Sequence, residues 1–409
     1  MNILFLTIGD ISDLSANTLY PDLLRYFRDN GHSVYIVCQS EKRIAKGTQC
    51  NIEFGMQVIR VQTGNITKTN LIQKGISTLF ISSIFKRAIN RFFNNVKFDL
   101  ILYTTPPITI ANTVKYIIKR DHAFSFLMLK DIFPQNAVDI KLLNKSGIKG
   151  IIYKYFRFKE KELYLISDYI GCMSQANVDY LIQHNPYLNI RKVGICPNTV
   201  NPQKQGHVNK KAVRKKYNLP DDKVIFIYGG NFGKPQDVDY IIDVLKSESE
   251  FDDRHYVMCG SGTDFYKIKE YEYISQPKNL TVLNSLPLSD YSQLIDACDI
   301  GLIFLDHRFT IPNFPSRLLD YMNRYMPVLA ATDTSTDLGQ IIISGDFGWW
   351  CKSNDVQAFN AIVNEIVKNP QALVNKGNNS REYLENYFQT KVAYDAIMNA
   401  CKVAVQADI

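Results

Sequence analysis

The chain has 409 residues, of which 46% are hydrophobic and 21% charged, a composition that excludes a disordered or fibrous protein. That length exceeds what one ordinary hydrophobic core serves, so two domains are predicted. The net charge of +7 is modest and no recognisable nucleic-acid module accompanies it, so we expect no nucleic-acid partner. No apolar run approaches the roughly 20 residues that span a bilayer, and we expect no signal peptide.

Short apolar strands alternate with amphipathic helices in the first half, which is typical of an open parallel α/β sheet. A helix is predicted over residues 18–30, with Gly31 as its C-cap. The predicted strands are residues 3–7, 33–38, 58–61, 100–103, 125–129 and 169–173.

Residues 1–200 are basic, with 25 Lys and Arg against 14 Asp and Glu, whereas the remainder carries a net −4. The excess is concentrated in residues 80–97 and 141–161. At helical spacing, the first segment places apolar side chains on one face and Lys86, Arg87 and Arg91 on the other. Such a helix suits an anionic membrane surface, and it equally suits an ordinary surface helix packed on a sheet.

The second half repeats the pattern after a polar linker over residues 199–223. Strands are predicted at residues 224–228, 255–259, 280–283, 300–305 and 328–331, and a helical segment at 378–404. Two doubly wound domains of this kind bind ligands at the carboxyl ends of their strands.

Two glycine-bearing loops follow predicted strands of the second domain. Gly230 and Asn231 lie in the first, "GGNFGK", which ends at Lys234, and Gly262 ends the second, "CGSG". Glycines there let backbone N–H groups approach an anion, and Lys234 adds a full charge. A tight strand-to-helix turn explains the first loop equally well.

A third loop, over residues 309–316, precedes a short predicted helix with Ser316 as its N-cap. Arg317 and Asp320 lie one turn apart at its start, where an ordinary ion pair would account for them. Together with Asn313 and the glycine loops, they also supply the donors, cations and carboxylate that a nucleoside diphosphate requires.

The strand over residues 125–129 leads into "LKDIFPQ", which places Asp131 at a strand end, pointing into a cleft or capping the next turn. The eight cysteines and six histidines are dispersed, without C-x-x-C or H-E-x-x-H spacing. We therefore expect reduced thiols in a cytoplasmic protein, and no metal site.

The chain resembles the retaining, nucleotide-sugar-dependent glycosyltransferases of the GT-B fold, family-4 type, that build capsule, O-antigen and cell-wall polysaccharides. The matching segments cover essentially the whole chain, in order: "LKDIFPQ", "SDYIGCMSQANVDYL", "ICPNTVNP", "VRKKYNLPDDKVIFIYGGNFGKPQDVDYII", "CGSG", "LSDYSQLIDACDIGLIFL" and "FPSRLLDYMNRYMPVLA". The resemblance implies two Rossmann-like domains facing across a cleft, no metal ion or other cofactor, and a last helix that returns to the N-terminal domain. It implies an acceptor domain at residues 1–200, completed by a helix at about 385–409, and a donor domain at 201–384.

Several site residues follow from the resemblance. Asp320 matches the second acid of the family's E-x7-E element, which holds the ribose, and Arg317 a basic residue of its P-S-[KR] variant. Gly230 and Asn231 match the diphosphate loop. The first acid of the element falls at Pro312, so the contact with a sugar hydroxyl is either missing or made by Asn313 or backbone.

The sequence thus predicts a glycosyltransferase on the inner face of the cell membrane that uses a nucleoside-diphosphate sugar, UDP-sugar favoured, and a lipid-linked or glycan acceptor. Lys234 and Arg317 would neutralise the departing diphosphate, and Asp131 would be a base or acceptor-binding group. Two alternatives stay open: a catalytically inactive relative that binds a partner or glycan, and a GT-B nucleotide-sugar epimerase.

Overall fold

A computed structural model describes residues 1–9, 11–41, 47–64, 71–204 and 208–407, with the side chains of 71–79 and 404–407 excepted. The chain divides into two compact units, one formed by Met1–Asn201 with Gln389–Ile409 and the other by Pro202–Phe388. Each unit is an α/β structure with a largely parallel sheet, which confirms the predicted fold class.

The strands are β1 Asn2–Thr7, β2 Ser33–Glu41, β3 Gln49–Glu53, β4 Met56–Thr63, β5 Leu100–Thr104, β6 Phe124–Leu129, β7 Tyr169–Cys172, β8 Val193–Ile195, β9 Val224–Asn231, β10 Arg254–Ser261, β11 Leu280–Asn284, β12 Ile300–Phe304, β13 Val328–Thr332 and β14 Gly348–Lys352. The α-helices are α1 Leu19–Asp29, α2 Leu71–Phe92, α3 Ala111–Asp121, α4 Gln135–Asp139, α5 Gly147–Ile166, α6 Gln175–His184, α7 Lys210–Lys216, α8 Val238–Glu248, α9 Phe265–Ser275, α10 Leu288–Asp296, α11 Arg317–Asn323, α12 Leu338–Ser344, α13 Val356–Lys368, α14 Gln371–Tyr383 and α15 Thr390–Ala407.

In the described part of the first unit, eight strands follow the order β3-β4-β2-β1-β5-β6-β7-β8. Among these described strands, only the edge pair β3–β4 is antiparallel. The C-terminal helix α15 packs on α1, with the Tyr394 ring 4.9 Å from the Phe27 ring and 5.1 Å from the Tyr26 ring. These aromatic contacts make α15 part of the first unit's core.

In the described part of the second unit, six parallel strands follow the order β11-β10-β9-β12-β13-β14. The chain builds outward from β9 to β11 and then returns to the other side of β9 as β12. Strand order therefore reverses between β9 and β12, and ligands of doubly wound folds bind at the carboxyl ends of strands beside such a reversal.

Helix α2 resolves one alternative that the sequence left open. Its apolar side chains Ile81, Phe85 and Ile89 are fully buried, while Lys86 and Arg87 on the opposite face are exposed. This is the burial pattern of an ordinary surface helix packed on its own sheet. Among the described residues, no helix is both long enough and apolar enough to cross a membrane.

Candidate functional site

Helix α11 is fixed to the sheet by Tyr321, which positions the helix's first turn at the strand reversal. The Tyr321 hydroxyl donates to the carbonyls of Ile227 at 3.2 Å and Leu302 at 3.3 Å, which lie on β9 and β12. A Cβ on Gly301 would lie 2.3 Å from the Tyr321 ring, so glycine is required for this close packing.

Arg317, the first residue of α11, lies beside the carboxyl end of β9. Its guanidinium carbon is 4.1 Å from the centroid of the Tyr228 ring, within cation–π range. Its Nη2 is 3.5 Å from the position that a Cβ on Gly230 would take. Its Nη1 is buried and has no hydrogen-bond partner among the described residues. A guanidinium with one buried and unused N–H donor is ready to bind an anion.

Asp320 does not form the ordinary ion pair with Arg317 that the sequence analysis considered, because no such pair occurs among the described residues. The Asp320 side chain is exposed, whereas the Arg317 guanidinium packs on Tyr228. Desolvation by neighbouring residues raises the pKa of the Asp320 carboxyl, and the charges of Arg324 and Arg317 oppose this effect. The carboxylate thus remains available to a ligand.

The loop after β9 is held by Gln236, which the sequence analysis missed. The Gln236 side-chain oxygen accepts from Asn231 Nδ2 at 2.9 Å and from the Gly233 backbone N–H at 3.2 Å. Lys234 begins the turn with an exposed side chain that makes no ion pair within the described part of the chain. Asn231 and Lys234 are therefore presented at the surface at the end of β9, the strand whose Tyr228 contacts Arg317.

The ends of β9 and β10 are held together by glycines. Gly230 pairs in register with Gly260, where a Cβ would lie only 1.9 Å from the Gly230 carbonyl oxygen. Gly262 has φ +152°, and a Cβ there would lie 2.2 Å from the Phe232 carbonyl oxygen. Strands β9 and β10 consequently continue to Asn231 and Ser261, beyond the predicted ends at residues 228 and 259. The glycines allow this because they have no side chains to keep the two backbones apart.

The loop before α11 contributes Asn313 and Ser316. Asn313 Nδ2 is buried without a hydrogen-bond partner among the residues described, while its backbone carbonyl accepts from the Thr336 hydroxyl at 2.7 Å. Ser316 is the residue that precedes α11, as predicted, but it has helical backbone angles and its side chain makes no capping bond. The exposed Ser316 hydroxyl is left at the surface.

Tyr291 of α10 is a further site residue that the sequence analysis missed. A Cβ on Gly229 would lie 1.6 Å from the Tyr291 hydroxyl, so the two residues are in direct contact. Burial raises the pKa of Tyr291, and the charges of Tyr321 and Asp320 add to the effect. Tyr291 lies in "LSDYSQL", a segment that the sequence analysis used only for the family resemblance. Its place in that segment could have identified it as a site residue.

The structure places eight of the nine predicted site residues in the second unit, at strand ends, in the loops that follow them or at the start of α11: Gly230, Asn231, Lys234, Gly262, Asn313, Ser316, Arg317 and Asp320. Asp131 belongs to the first unit, at the end of β6. Its carboxylate accepts from Asn136 Nδ2 at 2.7 Å, as expected of an acid that caps the following turn. In the first unit the strand order reverses between β1 and β5. The hydroxyls of Thr7 and Thr104, which the sequence analysis did not identify, lie 3.0 Å apart at this reversal.

One group of described residues has the composition of a metal site. Single ligand atoms of Asp237, Asp306 and His307 lie within 4.8 Å of one another. The Asp306 carboxylate, however, already accepts from the Arg308 backbone N–H at 2.9 Å and from its Nε at 2.8 Å. His307 Nδ1 lies 3.1 Å from Asp237 Oδ2. These contacts describe an ion-pair network, and the expectation of a metal-free protein stays a prediction.

Comparison with known proteins agrees with this geometry. The family described as Glycosyl transferases group 1 matches residues 209–384. The probable glycosyltransferase WbjE of Pseudomonas aeruginosa is 24% identical over 310 residues, which cover 73% of each chain.

Solved structures share the fold over nearly the full length. Sucrose-phosphate synthase from Thermosynechococcus elongatus superposes with a TM-score of 0.75 at 14% identity, covering 99% of this chain and 100% of that one. HepE from Anabaena in complex with UDP-glucose gives a TM-score of 0.67 at 14% identity, covering 99% and 100%. WaaG, a glycosyltransferase involved in lipopolysaccharide biosynthesis, gives 0.65 at 12% identity, covering 96% and 98%. Residues 209–384 match the Glycosyl transferases group 1 family, and the chain as a whole shares the fold of these solved structures.

Proposed function

We propose that this glycosyltransferase moves a sugar from a UDP-sugar to a hydroxyl of a glycan acceptor in bacterial surface polysaccharide synthesis, with retained anomeric configuration. The observation that carries the proposal is the buried Arg317 Nη1, without a partner among the described residues, beside Gly230 at a strand reversal. The HepE complexes with UDP and UDP-glucose support a uridine donor, and WaaG supports a role in surface glycans.

The donor roles follow from the chemistry of each group. Arg317 and Lys234 bind the two phosphates and neutralise the charge that develops as the bond between the anomeric carbon and the diphosphate oxygen breaks. Asp320 accepts hydrogen bonds from the ribose hydroxyls. Gly230, Asn231 and Gly262 leave room for the diphosphate to approach the backbone.

Asn313 takes the place of the acid that is missing at Pro312. Its buried Nδ2 has an unused donor among the described residues, so a sugar hydroxyl is a suitable acceptor. Ser316, exposed one turn before Asp320, adds a hydroxyl at the same edge. An amide holds a sugar without the charge of a carboxylate, and we therefore expect weaker discrimination between hexoses than an acid provides.

The acceptor belongs to the first unit in this proposal. Asp131 either removes the proton of the attacking hydroxyl or binds the acceptor, and its bond to Asn136 fixes the carboxylate for both tasks. The acceptor is a lipid-linked glycan at the inner face of the cell membrane, with the enzyme attached peripherally from the cytoplasm.

A nucleotide screen tests the donor proposal. The thermal midpoint of the protein is measured with UDP, GDP, ADP, dTDP and the corresponding sugar nucleotides, because a ligand that binds only the folded state raises it. UDP and one UDP-sugar should raise it in the parent and not in Arg317→Ala. Lys246→Ala, an exposed lysine of the same unit, is the matched control and should respond like the parent. If no nucleotide raises the midpoint, the donor site is wrong.

Because the acid expected at Pro312 is missing, a second experiment asks whether the protein catalyses transfer or only binds the nucleotide sugar. Incubation of the parent with the selected UDP-sugar and total membrane lipid should release UDP and yield a glycosylated lipid. Binding without release of UDP would favour the inactive relative, whereas conversion of the sugar nucleotide to its epimer would favour an epimerase.

A further inference from the structure

Helix α5 exposes an apolar face that nothing in the described structure covers. Ile148 is 81% exposed, Ile151 is 70% and Phe158 is 63%, values that are unusual for large apolar side chains on one helix. The exposed apolar side chains of the helix are Ile148, Ile151, Ile152, Tyr155, Phe158 and Leu165. Because 100° of rotation separates successive residues, these six fall within one face of the helix.

The opposite face of α5 is anchored in the first unit, so the exposure is not that of a loose helix. Leu163 and Tyr164 are buried, and the Tyr164 hydroxyl donates to the buried Glu160 at 2.8 Å. Glu162, near the helix end, pairs with Lys115 of α3 at 2.6 Å. Packing on the buried side holds these apolar side chains outward, and the ion pair of Glu162, which by helical spacing lies among the exposed positions, fixes the end of the helix to the same unit.

Cations border this face on both sides. At helical spacing Lys149 flanks one edge and Lys154 the other, Lys145 lies just before the helix begins at Gly147, and all three side chains are exposed. From residue 141 to 159 the sequence has six Lys and Arg and no Asp or Glu. An apolar face with basic borders matches the interface of an anionic bilayer, where apolar side chains enter the acyl boundary and lysines meet lipid phosphates.

We propose that α5 is a membrane-docking helix that lies in the plane of an anionic phospholipid surface. A second copy of the chain fits this face less well, because the bordering lysines would meet their own like charges in a symmetric contact. The docking helix would hold the acceptor domain at lipid-linked acceptors, and this role rests on the proposed function. We propose no such role for helix α2, because its apolar side chains Ile81, Phe85 and Ile89 are buried.

Flotation with vesicles of neutral phosphatidylcholine, with or without 30% phosphatidylglycerol, tests the docking helix. The parent should float with the anionic vesicles and only weakly with the neutral ones. Ile148→Ser/Ile151→Ser/Phe158→Ser should reduce flotation at least ten-fold, and Lys145→Ala/Lys149→Ala/Lys154→Ala should reduce it only on anionic vesicles. The matched control, Lys86→Ala/Arg87→Ala/Arg91→Ala on α2, should float like the parent.

Parent-like flotation of the serine variant, or failure of the parent to float, would overturn the proposal. So would loss of flotation in the α2 control alone, or a serine variant that changes only the oligomeric state. The thermal shift with UDP is measured on the same samples. A serine variant that keeps the shift but no longer floats separates docking from donor binding, and a parent that floats without any shift overturns the proposed function alone.

Discussion

The guanidinium carbon of Arg317 lies 4.1 Å from the centre of the Tyr228 ring. This contact holds the first residue of α11 against the carboxyl-terminal part of β9. Tyr228 is itself fixed, because its hydroxyl donates to the Asn231 carbonyl at 2.7 Å. One aromatic ring therefore joins the two loops that the donor proposal requires, with a buried Arg317 Nη1 unpaired among the described residues.

Arg317→Lys should reduce sugar transfer by about 100-fold, because a lysine amine cannot reproduce the planar guanidinium stacked on Tyr228. Steady-state kinetics with the selected UDP-sugar measure the effect. Lys246→Arg, an exposed change elsewhere in the second unit, should leave the rate within two-fold. An Arg317→Lys enzyme with parent kinetics would remove Arg317 from the phosphate site.

Asp320→Ala should weaken UDP binding by about ten-fold or more, because a ribose hydroxyl loses a charged acceptor. Calorimetric titration of UDP into the protein measures this directly. The exposed Asp243→Ala in the same unit is the control and should bind UDP like the parent. Equal affinities of the Asp320 and Asp243 variants would contradict the ribose role.

Gly260→Ala should lower the thermal midpoint by about 3 to 10 °C, because the new methyl group overlaps the backbone of β9. The added Cβ would lie 1.9 Å from the Gly230 carbonyl oxygen, so the two strand ends must separate. Ser261→Ala, the next and exposed position of β10, is the matched control. We expect its midpoint to remain within 1 or 2 °C of the parent, as is usual for surface changes (~0.5 kcal/mol). Identical midpoints for the two variants would show that the close approach of β9 and β10 is not required.

Glu160→Gln should flatten the dependence of stability on pH. Burial raises the pKa of Glu160 to about 7 from an ordinary value of 4.5, although Arg157 and Tyr164 oppose the rise. Between these two values the folded protein keeps a proton that the unfolded chain has lost, so the free energy of unfolding falls as pH increases. Glutamine removes this loss, on the order of 1 to 3 kcal/mol between pH 5 and 8.

Denaturant unfolding of the parent and the Glu160 variant at several pH values measures the difference. Glu270→Gln, at an exposed position on α9, is the control and should follow the pH profile of the parent. If the Glu160 variant also follows it, the carboxyl does not titrate in that window.

The alternation of strands and helices was readable from the sequence because burial on a sheet leaves a local pattern of apolar residues. Strands β1, β2, β6 and β12 were predicted in place. Strands β3, β8 and β14 were missed. The edge strand β3 is largely exposed and carries little apolar signal, and β8 is only three residues long. Strand β14 contains two tryptophans within a short run, which predicts a strand no better than a buried turn.

The sequence by itself determined the fold class, the glycines at the strand ends and the resemblance to a glycosyltransferase family, because these depend on residue types at fixed spacing. Only the tertiary structure decided which partner each side chain has. It turned Arg317 toward Tyr228 and away from Asp320, and it buried the apolar face of α2 while leaving that of α5 exposed. Two basic amphipathic segments look alike in sequence, since neither pattern records whether a sheet lies against the apolar side.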